Sequence, residues 1–196
     1  MLNRLGEIYV TLAPAILAGV LNMIWVRLPW ALSLAIPMDR GIIRSDGYRL
    51  LGDHKTWKGF LGMIGLGALS ALFWGGLLPS LGLEQSNLLY RIRSNTPEWN
   101  LITGALLGLG YALAELPNSW LKRRLGITPG KAPAGSWKWF FVFWDQADSV
   151  LGILIVLRFF WPIAGGIFVL ALLAGSLTHL LLNMLLYLLK LRKNMF

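Results

Sequence analysis

The stretch Asp145-Gln-Ala-Asp148 sets two carboxylates three residues apart. On a helix that spacing puts both on one face. Like charges that close repel unless a cation or a base lies between them. The pair is therefore a candidate ligand set for a hard divalent ion such as Mg2+, which takes oxygen donors. Compensation of a helix N-terminus by negative charge is the plainer alternative. A second group lies upstream. Glu115 precedes Pro117, Asn118 and Ser119, then the contiguous cations Lys122, Arg123 and Arg124, with Lys131 after a Pro-Gly turn. Adjacent Lys and Arg combine a point charge with a planar fork, which suits a polyphosphate. A cluster that only anchors a helix end would look the same. A third group is Gly52-Asp53-His54-Lys55-Thr56, an acid, a base and a hydroxyl beside a glycine that lets backbone approach a ligand. No G-x-x-x-x-G-K-[ST] run is present, so a P-loop is rejected. His54 alone reads as a surface histidine.

These groups must be positioned by a very apolar chain. Of 196 residues, 56% are hydrophobic and 14% charged, with mean hydropathy +0.62, which excludes an ordinary soluble domain. There is no cysteine, so disulfides and thiolate metal sites are excluded. The net charge of +9 would raise nucleic acid as a partner in a soluble protein. Here the bases lie between apolar spans, so topology and phosphate binding explain them and no nucleic acid is expected. A bilayer core about 30 Å thick needs about 20 helical residues. Five stretches come near that length: 8–37 (broken by Arg27 and Pro29), 59–83, 100–117, 141–161 and 163–189. The third is expected to end at Glu115, with Pro117 disturbing or breaking it and Asn118 or Ser119 capping the segment beyond. Ser149 to Trp161 covers only about 20 Å of helix, so the fourth must begin before Asp145. Glycines at three- to four-residue spacing around 62–76 and 104–110 predict close helix packing. The first span is expected to be retained rather than cleaved as a signal peptide.

Charge placement predicts a side. Segments 38–58 and 118–140 and the C-terminal tail hold thirteen of the 18 bases. By the positive-inside tendency the N-terminus is outside and the C-terminus cytoplasmic. Six of the nine acids, Asp39, Asp46, Asp53, Glu115, Asp145 and Asp148, lie in or beside the same two segments. Acids contribute little to orientation. Mixed charge on one membrane face therefore points to a site for a metal and a polyphosphate, with solvated ion pairs as the alternative. The expected fold is all-α: a polytopic membrane protein of about five transmembrane helices, residues 1–196 forming one integral-membrane unit.

Taken together, these stretches resemble the CDP-archaeol synthase family, within the CTP-dependent phosphatidate cytidylyltransferases. The resemblance runs through Pro14 to Asn22, Pro37-Met38-Asp39, the run 46–59, Asn118 to Gly130, Asp145 to Gly152 and, weakly, His179 to Leu191. Where the family usually has Gly-Asp, this chain has Ala114-Glu115. The resemblance implies transfer of CMP from CTP to a lipid phosphate at the cytoplasmic side of the cell (inner or plasma) membrane. It implies that Asp145 and Asp148 hold Mg2+, with Glu115 a third candidate ligand. Lys122, Arg123 and Arg124 would take the triphosphate or the lipid phosphate. Asp53, Lys55 and Thr56 would close the site, with Asn118 and Ser119 as hydrogen-bonding groups. CTP, a lipid phosphate and membrane lipids are the expected partners, and a homodimer is a candidate assembly. Three rivals remain: a cytidylyltransferase for another phosphorylated alcohol, a CDP-alcohol phosphotransferase, and a non-enzymatic transporter or scaffold. The spaced aspartates with an Ala-Arg pair that mark the CDP-alcohol phosphotransferases are absent.

Overall fold

Five long apolar stretches become five helices in the computed structural model, which describes residues 2–128 and 135–190. They are α1 (Leu2–Trp25), α2 (Trp57–Leu77), α3 (Pro97–Arg124), α4 (Lys138–Phe160) and α5 (Gly165–Leu188). The shortest has 21 residues, about 32 Å of helix, and all five are long and apolar enough to cross a bilayer. No strand occurs among the described residues beyond two isolated bridges, Pro37 with Thr56 and Ile43 with Arg49. The chain is an all-α integral membrane protein.

The first and third spans depart most from the expected bounds. The first helix starts earlier than residue 8 and stops at Trp25, well short of 37. Pro29 has no N–H to continue the ladder, and the freed carbonyls of Val26 and Leu28 accept hydrogen bonds from the Lys58 ammonium at 3.4 and 2.6 Å. Lys58 is fully buried, so one of the counted bases is a helix C-cap rather than a surface charge. The third helix does not end near Glu115. It continues through Pro117 to Arg124. Pro117 is exposed and deletes a single backbone donor. The consequence is large, because residues 115, 118, 119, 122 and 123 then form one continuous helical stripe.

Glycine sets the approach of α2, α3 and α4. A Cβ at Gly67, Gly104 or Gly108 would overlap backbone across the α2–α3 interface, and one at Gly110 or Gly152 would do so across α3–α4. Close backbone approach is the packing solution available in lipid, where apolar burial alone gives no preference for helix over solvent. Ile8, Leu12, Leu107, Val150, Ile153, Leu154 and Leu157 fill the centre. On α5, Leu173, Leu177, Leu181 and Leu185 stand exposed at i, i+4 spacing, a face suited to lipid. Alternation of five spanning helices brings the ends of α1, α3 and α5 and the starts of α2 and α4 to one face. Lys55, Lys122 and Arg123 lie at that same face.

Candidate active site

The acids of α4 meet the stripe of α3 at that polar end. Asn118 is buried on α3, and its amide nitrogen donates to Asp145 Oδ1 at 2.7 Å and to Asp148 Oδ2 at 2.6 Å. One turn further, the Lys122 ammonium pairs with Asp145. One turn back, Glu115 pairs with Lys55 from the α1–α2 connection. These side chains, with Ser119, Arg123, His54 and Gly52, line a single cavity of about 450 Å3. Lys55 sits just outside α2. Burial works against its charge, but Glu115, Asp148 and Asp145 outweigh that and hold its pKa above the usual lysine value.

The connection from 38 to 56 is organised by Asp39, whose side chain is wholly buried. Its carboxylate accepts from the backbone N–H of Gly41, Leu51 and Gly52 at 3.1, 3.0 and 3.1 Å and from Arg49 at 2.6 Å. Burial pushes the carboxyl up; the guanidinium and three N–H groups outweigh it and hold it well below the usual range. Gly52 takes φ +113°, which only glycine adopts readily, and presents its N–H to Asp39 while its other side borders the cavity. Arg124 ties this loop to α3 through Asp46 and the carbonyl of Arg49 at 2.6 Å.

The candidate residues thus divide. Asp145, Asp148, Glu115, Asn118, Ser119, Lys122, Arg123 and Lys55 converge on the cavity. Thr56 caps α2, accepting from the Gly59 N–H at 3.2 Å, and borders an adjoining cavity of about 180 Å3 that shares His54, Lys55 and Glu115. Asp53 points away: it pairs with Arg49 and its side chain is 65% exposed. Arg124 serves the loop rather than the cavity. Lys131 lies outside the described residues. Asn118 caps no new helix; it bridges the two aspartates. His54, expected at the surface, is exposed and also borders the cavity.

Arg123 differs from its neighbours. Its side chain is buried, and its Nε and Nη1 atoms have no hydrogen-bond partner among the described residues. A buried guanidinium without an anion is costly, and it borders a cavity large enough for a nucleotide. Arginine is suited to bidentate phosphate recognition.

The donor set also fits a hard divalent cation. Two carboxylate oxygens converge on one point, now taken by the Asn118 amide, while Asn118 Oδ1 is buried without a partner among the described residues. Such a cation is commonly held by one or two carboxylates plus substrate phosphates. No cluster of three acidic, histidine or cysteine ligands is assembled among the described residues, since Glu115 turns to Lys55.

Several cavity residues escaped the sequence reading. Asn183 on α5 donates to Gln146 at 2.6 Å, between the two aspartates of α4. His179, one turn earlier, contacts Ser149 and Tyr111. Their His-x-x-x-Asn spacing lay within the weakly resembling run 179–191 and was the available signal.

Comparison with known proteins decides the family. The family model described as CarS-like, CDP-archaeol synthase, matches residues 11–196. The chain belongs to the CDP-archaeol synthase family. A CDP-archaeol synthase of Thermofilum pendens is 36% identical over 160 residues, covering 81% of this chain and 64% of that protein. One from Methanoculleus marisnigri is 34% identical, covering 64% of this chain and 65% of the relative. The chain thus spans just under two thirds of the length of these CDP-archaeol synthases. A solved structure described as an intramembrane enzyme for archaeal membrane lipids biosynthesis superposes with TM-score 0.60 at 26% identity, covering 90% of this chain and 92% of that one.

Proposed function

We propose that the chain is a CTP:lipid-phosphate cytidylyltransferase that transfers CMP to a membrane lipid phosphate, forming a CDP-lipid and pyrophosphate. The carrying observation is the polar-end cavity, where Glu115, Asp145 and Asp148 interleave with Lys55, Lys122 and Arg123. The names of the relatives favour an ether-linked, archaeal-type lipid phosphate as acceptor.

The chemistry asks little of a protein nucleophile. A phosphate oxygen of the lipid attacks the α-phosphorus of CTP, the bond from that phosphorus to the bridging oxygen breaks, and pyrophosphate departs with the electron pair. Two anionic substrates must approach, so alignment and charge neutralisation dominate the barrier. Arg123 and Lys122 take phosphate oxygens, and Lys55 reaches the cavity from the loop that Asp39 holds. Asn118 positions the two aspartates. Asp145 and Asp148 would hold Mg2+, which when bound neutralises charge on the triphosphate oxygens. The clustering of bases at the same end supports a cytoplasmic site, where CTP is available.

The test is purified protein with labelled CTP, Mg2+ and a panel of ester- and ether-linked lipid phosphates. A CDP-lipid should form and be lost in Asp145→Asn and Asp148→Asn. CMP incorporation undiminished by both changes would overturn the assignment.

A further inference from the structure

At the end of the bundle remote from the charged cavity, a groove of about 520 Å3 opens between α4 and α5. Ile155 and Phe159 of α4 and Phe168 and Val169 of α5 wall it, and Arg158 and Gly165 border it. Arg158 comes ten residues after Asp148, about 15 Å further along α4. It is exposed and pairs with no anion among the described residues. A base in the last turn suits the dipole of α4, which accounts for the charge but not for the groove beside it. Across the groove, α5 begins without a side-chain cap on Ala164. The N–H groups of Gly165, Gly166 and Ile167 meet no acceptor among the described residues. Neither glycine is required by packing, since nothing stands within 4 Å of a Cβ added at either. The first turn of α5 is bare, open backbone.

We propose that this groove holds one anionic phospholipid of the membrane leaflet opposite the charged cavity. Its phosphate lies between the Arg158 guanidinium and the first turn of α5, and a hydrocarbon chain lies along Ile155, Phe159, Phe168 and Val169. Charge complementarity selects this occupant. A guanidinium and the positive end of a 24-residue helix border one groove whose lining contains no acid. The apolar wall requires that the anion carry hydrocarbon. A zwitterionic headgroup brings a cation to the same place and binds less well. The lipid also has a task. α5 is the least buried of the five helices, with Ala171, Ser176, Asn183 and Leu186 as its buried residues. A phosphate that bridges Arg158 and the start of α5 fastens this helix to α4. The groove shares no lining residue with the charged cavity, so the site stands apart from the transfer chemistry.

The test is native mass spectrometry of the full chain in detergent, titrated with phosphatidylglycerol or with phosphatidylcholine of matched chains. Wild type is compared with Arg158→Gln, Gly165→Asp and Arg93→Gln, and each is also melted with and without lipid. Loss of one basic side chain beside an anionic headgroup should lower phosphatidylglycerol affinity about fivefold or more in Arg158→Gln. Gly165→Asp sets a carboxylate at the start of α5. It should repel the phosphate to a similar degree while favouring the helix, so the lipid-free melting temperature stays the same or rises. Arg93→Gln removes an exposed charge elsewhere at the same end and should bind within about twofold of wild type. Phosphatidylglycerol should raise the melting temperature of wild type and leave the first two variants unmoved. Equal affinity of wild type for the two headgroups would overturn the proposal. So would an equal loss in Arg93→Gln, undiminished phosphatidylglycerol binding in either groove variant, or loss confined to variants that melt lower without lipid. Gly165→Asp, which should fold at least as well as wild type, keeps the test decisive should Arg158→Gln fail to fold.

Discussion

Replacing Arg123 by Met should move stability and binding in opposite directions. Arg123 is 6% exposed, and two of its three guanidinium nitrogens have no partner among the described residues. In the substrate-free protein it is a buried charge whose desolvation is uncompensated, so an apolar side chain of similar length should leave the bundle as stable or more so. With CTP present the same group would supply charge-assisted hydrogen bonds, each worth about 1.5–3 kcal/mol. At about 1.4 kcal/mol per decade, loss of one such bond weakens CTP binding roughly 10- to 150-fold. Arg123→Lys keeps the charge but loses the fork, and should fall between. Calorimetric titration with Mg·CTP and thermal unfolding in the same detergent measure both quantities. If Arg123→Met bound CTP within about twofold of wild type while melting several degrees lower, the side chain would be a structural element and the argument would be wrong.

Other consequences come from neighbouring parts of the site. Asp39→Ala removes the acceptor of three backbone N–H groups and one of the two carboxylates that pair with Arg49. Breaking such a buried pair costs about 3–5 kcal/mol, so amide exchange at Gly41, Leu51 and Gly52 should accelerate by roughly two to three and a half decades; unchanged protection would contradict the geometry. The Asp39 carboxyl titrates lower folded than unfolded, so its stabilisation is complete above the unfolded value of about 3.9 and fades as pH falls through the lower folded one. Trp57 fluorescence should therefore show loop order persisting below about pH 4 in wild type, and Asp39→Asn should lack that acid transition. Gly152→Val, whose side chain would meet the Gly110 backbone, should destabilise α3–α4 packing by at least about 1–3 kcal/mol in thermal unfolding. Gly65→Ala, where nothing stands within 4 Å of an added Cβ, should be neutral or stabilising by up to about 1 kcal/mol; equal losses at both positions would refute the interface.

Residue types along the chain carried much of this. Apolar runs near bilayer length leave helices as the only way to satisfy backbone polar groups, so the number of spans was legible. Glycine spacing on α2 and α3 marked close helix packing, because only a missing Cβ lets backbones approach that closely; which helices meet there came from the structure. The Asp145–Asp148 pair and the 122–124 cluster stood out because charge at a membrane boundary is expensive. Proline misled at one point. Pro117 reads as a breaker, yet neighbouring turns carry the helix across it, and no local signal distinguishes a kink from an end. Asp53 and Arg124 also read like site residues; their partners, Arg49 and the loop backbone, are set by how the connection folds.

Composition, hydropathy period and charge placement by themselves determined a five-helix membrane bundle with most of its acids and bases at one end. Those properties are local, summed along the chain, and survive any arrangement of the helices. Tertiary structure alone decided which charges face one another: Asn118 between two aspartates from another helix, Lys58 consumed as a cap, Arg123 left without an anion among the described residues. It also brought together Tyr111 and His179, 68 residues apart in sequence. Such pairings depend on helix rotation and depth, which angstrom-scale packing sets and which no linear pattern encodes.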